Sequence, residues 1–197
     1  MLLEADTEWL AIQINTLAWR TNFCHHGVRA SGPRRCDPGI EMKVEYLADH
    51  PSHLPTVAAW QHAEFGYLTP NATLEDRAAR LHRSAQKDAL PMAFVALSDG
   101  GTLLGSAGLL PTTITHQHLT PWLSSVYVPE EHRGKGVASA LSLRAAGEAA
   151  RLGFDRIYLF TPRSEALYAR IGWRTFERID YNGVALTLME RSSAGAC

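Results

Sequence analysis

The residues whose types and spacing could do chemistry run as Val126-Tyr127-Val128-Pro129-Glu130-Glu131-His132-Arg133-Gly134-Lys135-Gly136-Val137-Ala138. Gly134 and Gly136 clear side chains from the point where a helix is expected to begin. Several backbone N–H groups and the positive end of the helix dipole then face outward together. That chemistry is anion binding, best suited to a phosphate or pyrophosphate. A glycine pair is unspecific by itself, because Walker loops, dinucleotide turns and tight packing all use one. Here the glycines are too close for a Walker loop and no Lys-Ser/Thr pair follows. The third glycine of a dinucleotide fingerprint is missing as well, and the turn comes after several strands expected to be antiparallel.

Positioning such a turn requires a strand before it and a helix after it. Alternation of Trp122, Ser124, Val126 and Val128 against Leu123, Ser125 and Tyr127 predicts a half-buried strand, which Pro129 ends. Val137, Leu141, Ala145, Ala149 and Leu152 make a helical stripe, with Arg144, Glu148 and Arg151 on the side expected to face water and Gly153 as the residue past the helix end. Arg156 to Thr161 is a strand of high β-propensity, so strand, turn, helix and strand form a crossover with parallel outer strands. A short helix from Ser164, its expected N-cap, to Arg170 ends at Gly172, and Val184 to Met189 supplies a last strand.

Upstream, Met42 to Leu47 predicts a first strand. In the helix after Pro55, Val57, Trp60, Gln61, Glu64 and Leu68 share a stripe, so Glu64 lies near a core-facing edge. Thr73 is expected to cap a second helix with Glu75 and Asp76 in its first turn and arginines further along. Asp99-Gly100-Gly101 separates the apolar runs Met92–Leu97 and Thr102–Leu110, the signal of a β-hairpin. Three antiparallel strands side by side follow from it.

At 197 residues, 46% hydrophobic and with a formal net charge of -1, the chain suits one well-cored domain. Patterning divides it into an N-terminal extension over 1–40, a domain over 41–192 and a tail over 193–197. The balanced charge gives no global reason to bind nucleic acid or an anionic membrane. No apolar run approaches the roughly 18 to 20 residues that span a bilayer, and Glu4, Asp6 and Glu8 do not suit a signal peptide, so a soluble cytoplasmic protein is expected. Cys24, Cys36 and Cys197 are no disulfide framework. Cys24-His25-His26 with Cys36 matches no zinc spacing. His116 and His118 sit in a polar loop with no carboxylate or cysteine near them in the chain, so no metal is expected.

Arg133, Gly136 and Ala138 fill the required positions of a Gln/Arg-x-x-Gly-x-Gly/Ala motif, and Leu167, Tyr168, Gly172 and Trp173 fill a Leu-Tyr-x-x-x-Gly-aromatic motif about thirty residues on. Together these resemble the GNAT acyltransferase superfamily over about residues 42 to 190. The resemblance implies an α/β (α+β) fold, a three-layer sandwich whose mixed, mostly antiparallel central sheet has helices on both faces. It implies acetyl-coenzyme A as co-substrate. Backbone N–H groups of Gly134, Lys135, Gly136, Val137, Ala138 and Ser139 would hold the pyrophosphate beside Arg133. Val126, Tyr127 and Val128 would pair with the pantetheine arm, and an N–H near Val126 would polarise the thioester. Tyr168 matches the usual proton donor. Thr161 stands where many relatives carry a pantetheine-contacting Asn.

No carboxylate occurs between Leu119 and Val128, where many relatives have one. Glu64 is the first candidate for a general base, followed by Glu165 and Asp180, with water relays or a neutral amine also open. The expected activity is N-acetyl transfer to a primary amine of a small molecule or peptide. The alternatives are a non-catalytic acyl-coenzyme A binding or sensor module and a structural α/β domain with an incidental turn. Whether the protein forms a homodimer is left open by the sequence.

Overall fold

The computed structural model describes residues 41–65, 71–113, 115–181 and 183–193. The expectations for residues 1–40, for Leu68 and for Cys197 lie outside the described residues. The elements are β1 (Met42–Tyr46), α1 (Leu54–Phe65), α2 (Leu74–Arg83), β2 (Met92–Ser98), β3 (Leu103–Leu110), β4 (Trp122–Tyr127), α3 (Val137–Arg151), β5 (Arg156–Thr161), α4 (Glu165–Arg170), β6 (Arg174–Tyr181) and β7 (Val184–Ser192). One seven-stranded sheet has the order β1-β2-β3-β4-β5-β7-β6. Its ladders are antiparallel except for β4 against β5, which is parallel. The expected hairpin and the three adjacent antiparallel strands are both present.

The two faces of the sheet bury separate cores. Leu141, Ala145, Ala146 and Ala149 of α3 pack on Phe94, Leu109, Leu123 and Leu159. On the opposite face, Val57 and Ala58 of α1 and Leu81 of α2 pack on Ala93, Val95 and Leu97. These are the three layers expected of the fold. The start of α2 is fixed by a reciprocal cap: the Asp76 N–H donates to Thr73 Oγ1 over 3.1 Å, and the Thr73 N–H donates to the Asp76 carboxylate over 2.9 Å.

Three local expectations are corrected. Glu148 faces the core side and is 2% exposed. Arg144 and Arg151 (Nε to Oε2, 2.6 Å) bond to it and screen it from water. Burial raises its carboxyl pKa, but hydrogen bonds from Arg151 and Tyr46 and the arginine charges outweigh this, leaving it below the ordinary range. β6 was not expected. Its pairing with β7 shifts register between Thr175 and Glu177, which breaks the alternation by which a strand is recognised.

The third correction concerns β4. Strict alternation puts Trp122 and Val126 on one face, yet Trp122 packs with Phe160, Leu186 and Leu188, whereas Val126 packs on the α3 side. Ser106 pairs with Tyr127 and Gly108 with Ser124, so β4 carries one extra residue. Ser125 absorbs it at φ 52°, a left-handed conformation rare for a residue other than glycine. The bulge reverses which side chains face which layer.

Candidate functional site

The bulge has a consequence for the neighbouring strand. The parallel register of β4 and β5 consists of the single pair Trp122 and Tyr158. Past it the strands diverge, and the gap opens into a cleft of about 650 Å³. Val126, Tyr127 and Val128 form one wall, the start of α3 its floor, and the β5–α4 connection with α4 the other wall. β3 runs close beneath this junction. A Cβ on Gly105 would stand 2.8 Å from the Tyr127 carbonyl oxygen and 3.1 Å from Val137 Cγ1.

The turn into α3 has the conformation its glycines predict. Gly134 has φ +74° and Gly136, the N-cap of α3, φ +83°; a Cβ on either would meet nothing within 4 Å. Backbone conformation alone therefore calls for glycine, with no packed neighbour involved. No side chain caps α3, and Gly136, Val137, Ala138 and Ser139 all line the cleft. An uncapped 15-residue helix opening onto a cleft of this size fits a pyrophosphate at its N-terminus and an extended chain along β4. Arg133 lines the cleft and braces its turn, its Nε donating to the Val128 carbonyl over 3.0 Å.

Tyr168 and Glu64 both line this cleft, although 104 residues separate them in sequence. Tyr168 is 9% exposed, and its ring meets Trp173 edge-on at 5.9 Å. Burial pushes its phenol well above the ordinary value, so it stays protonated at neutral pH. Glu64 projects from the last turn of α1, half-buried. Burial raises its carboxyl pKa and the Arg133 charge partly offsets the rise. Tyr127, whose ring meets Trp60 of α1 at 5.3 Å in a tilted contact, has its phenol raised by burial and then by the Glu64 charge, with Arg133 opposing. The arrangement offers an anion cradle, an exposed strand edge, a protonated phenol and a carboxylate of raised basicity.

Four expected residues lie outside the cleft lining: Lys135, Thr161 and the further base candidates Glu165 and Asp180, the last accepting the Gly183 N–H over 2.9 Å. Lys135 turns back, its Nζ donating to the Glu131 carbonyl over 2.8 Å. Thr161 is 5% exposed, and its Oγ1 accepts the Ser164 N–H over 2.9 Å. That bond organises the start of α4, where Ser164 makes no side-chain cap. Glu165 bonds to Thr175 and Arg178, which hold its carboxyl below the ordinary range. His132, Arg163 and Arg170 line the cleft without having been singled out; the available signal was a cation on either side of a short helix. His116 does have a carboxylate near it in space, bonding to Glu177 over 3.0 Å. Among the described residues no three His, Cys, Asp or Glu side chains form a metal-binding group, and no helix is long and apolar enough to cross a membrane.

A model of the acetyltransferase (GNAT) family matches residues 54–173. An uncharacterised N-acetyltransferase of Escherichia coli, YjgM, is 36% identical over 85 residues, which are 41% of this chain and 48% of the relative. The chain thus spans about half the length of that curated relative. Among solved structures, a chimera of the spermidine N-acetyltransferase SpeG of Vibrio cholerae with hSSAT has a TM-score of 0.61 at 19% identity, covering 79% of this chain and 98% of that one. A GCN5-related N-acetyltransferase of Kribbella flavida has a TM-score of 0.61 at 20% identity, covering 77% of this chain and 97% of that one. At such identities the solved structures bear on the fold alone.

Proposed function

Because the chain belongs to the acetyltransferase (GNAT) family, we propose that its domain over residues 41–192 transfers the acetyl group of acetyl-coenzyme A to a primary amine of a small molecule or peptide, in the cytoplasm. The observation that carries the reading is the cleft between β4 and β5, which joins the uncapped start of α3 to Tyr168 and Glu64. The main chain of Val126 to Val128 pairs with the pantetheine arm, and an N–H at Val126 faces the thioester oxygen. The amine nitrogen attacks the thioester carbon. A C–N bond forms, the C–S bond breaks, the nitrogen gives a proton to Glu64 directly or through water, and the departing thiolate takes one from Tyr168. A phenol kept protonated and a carboxylate of raised pKa suit these two roles.

The test measures free coenzyme A thiol released from acetyl-coenzyme A across a panel of primary amines. Release that depends on an amine is expected. Tyr168→Phe should lower kcat by roughly 10²-fold, the usual scale of acid–base assistance, with coenzyme A affinity nearly unchanged. The absence of a carboxylate on β4 favours a second reading, a non-catalytic acyl-coenzyme A sensor. Tight binding of coenzyme A with no transfer to any amine would establish that reading instead.

A further inference from the structure

The main chain of Tyr127 belongs to the β4 wall of the cleft, but its side chain serves another side. Leu123 packs on the α3 face of the sheet, and alternation counted from it would put Tyr127 there too. The extra residue absorbed at Ser125 turns Tyr127 to the opposite face, where its ring meets Trp60 of α1 at 5.3 Å. Re-aiming a side chain is a recurrent use of a bulge beside a site. Trp60 and Glu64 stand four residues apart within α1, so they share one side of that helix. The bulge and α1 together bring the Tyr127 phenol toward the Glu64 carboxylate.

Both residues line the one large cleft. Among the described residues, neither the Tyr127 hydroxyl nor the Glu64 carboxylate makes a hydrogen bond or ion pair, and neither is sealed from water. The Glu64 charge nevertheless acts on the Tyr127 phenol. The two groups are near enough to sense each other and do not bond to each other, an interval that suits a nitrogen between them. The phenol stays protonated at neutral pH, and its oxygen can accept a hydrogen bond as well as donate one. We infer that Tyr127 and Glu64 grip the acceptor nitrogen from two sides, Tyr127 Oη accepting one N–H of a primary amine while Glu64 takes the proton of the other, so that Tyr127 determines specificity for primary amines. This rests on the acetyl-transfer reading above. Of the two N–H bonds, the one facing Glu64 breaks, and the one facing Tyr127 survives as the amide N–H of the product. The lone pair is left pointing at the thioester carbon beside Val126. A secondary amine has a single N–H, which Glu64 must take, and its second carbon then stands against the Tyr127 oxygen.

The test compares kcat/KM for a panel of primary amines, each paired with its N-methyl derivative, in the parent protein and in Tyr127→Phe. The parent should prefer the primary amine by at least about tenfold, because a polar site rejects an analogue that leaves its groups unpaired. Tyr127→Phe keeps the ring and its contact with Trp60, so Tm and coenzyme A affinity should match the parent. It should lower kcat/KM for the primary amine by about tenfold, the scale of one lost hydrogen bond, and leave the N-methyl amine unchanged or faster. The preference ratio then falls toward one, which general damage to the cleft would not cause. A parent without preference, an equal loss on both amines, or rates that do not change in Tyr127→Phe would overturn the inference while leaving acetyl transfer intact. If no amine is acetylated, thermal shifts with coenzyme A and each amine present decide the matter. Extra stabilisation by the primary amine in the parent and not in Tyr127→Phe would retain the two-sided grip and remove the transferase. Equal stabilisation of both proteins, or none, would remove the grip as well.

Discussion

Glu64 is held between two opposing influences, and the balance gives a signed prediction. Burial raises its carboxyl pKa and the Arg133 charge pulls it back. As a base, Glu64 works only when ionised, so kcat/KM should rise with pH through its raised pKa, above the unperturbed value of about 4.3. Its stability effect has the reverse sense. A carboxyl whose folded pKa exceeds its unfolded one contributes most below the unfolded value, and that contribution is lost as pH rises through the folded value. Glu64→Gln should therefore flatten the acidic limb of the pH–rate profile, lower the rate on its plateau, and leave Tm at neutral pH equal to or slightly above that of the parent. An acidic limb that persists unchanged in the variant would transfer the base role elsewhere.

At the scale of elements, the cleft depends on how closely β3 passes beneath the β4–α3 junction. A Cβ on Gly105 meets the Tyr127 carbonyl oxygen at 2.8 Å, a backbone atom that cannot rotate away. Gly105→Ala should cost about 1–3 kcal/mol of stability, as overpacked sites do, and should weaken coenzyme A binding because β4 and the start of α3 must shift. Gly100→Ala is the control: its Cβ would meet nothing nearer than Ser98 Oγ at 3.8 Å. Denaturant midpoints and coenzyme A titrations of the two variants check this, and equal behaviour would refute it. The same geometry marks where sequence reading succeeds. Thr73, Asp99-Gly100 and Gly136 act through bonds or torsions within a few residues, and each was legible. The Ser125 bulge answers to the packing of β3 against α3, which no window on β4 contains, so the parity of β4 was misread. β6 hid behind its own register shift, and Glu148 owes its burial to partners on other turns and other elements.

Across the whole molecule, the sheet is two halves meeting at a weak seam. β1-β2-β3-β4 and β5-β7-β6 share the single registered pair Trp122 and Tyr158. Trp122 reinforces the seam: it is 1% exposed, its ring packs on Tyr158 at 5.6 Å and Phe160 at 6.3 Å, and its Nε1 donates to the Leu119 carbonyl over 2.8 Å. The cleft opens where this reinforcement stops, so a ligand lying between β4 and β5 adds contacts that the fold itself omits. Coenzyme A should accordingly stabilise the whole chain by linkage, about 2.7 kcal/mol at a hundred times Kd, which is about 5–10 °C in Tm for a domain of this size. Amide exchange should slow most at Val126 to Val128, in the first turn of α3 and in α4, and least in β1 and α2, which lie away from the seam. Gly136→Trp, which forces a bulky side chain into a left-handed position at the helix start, should remove both the Tm shift and the local protection. Uniform protection across the sheet, or a Tm shift that survives this substitution, would mean that coenzyme A binds somewhere other than the seam.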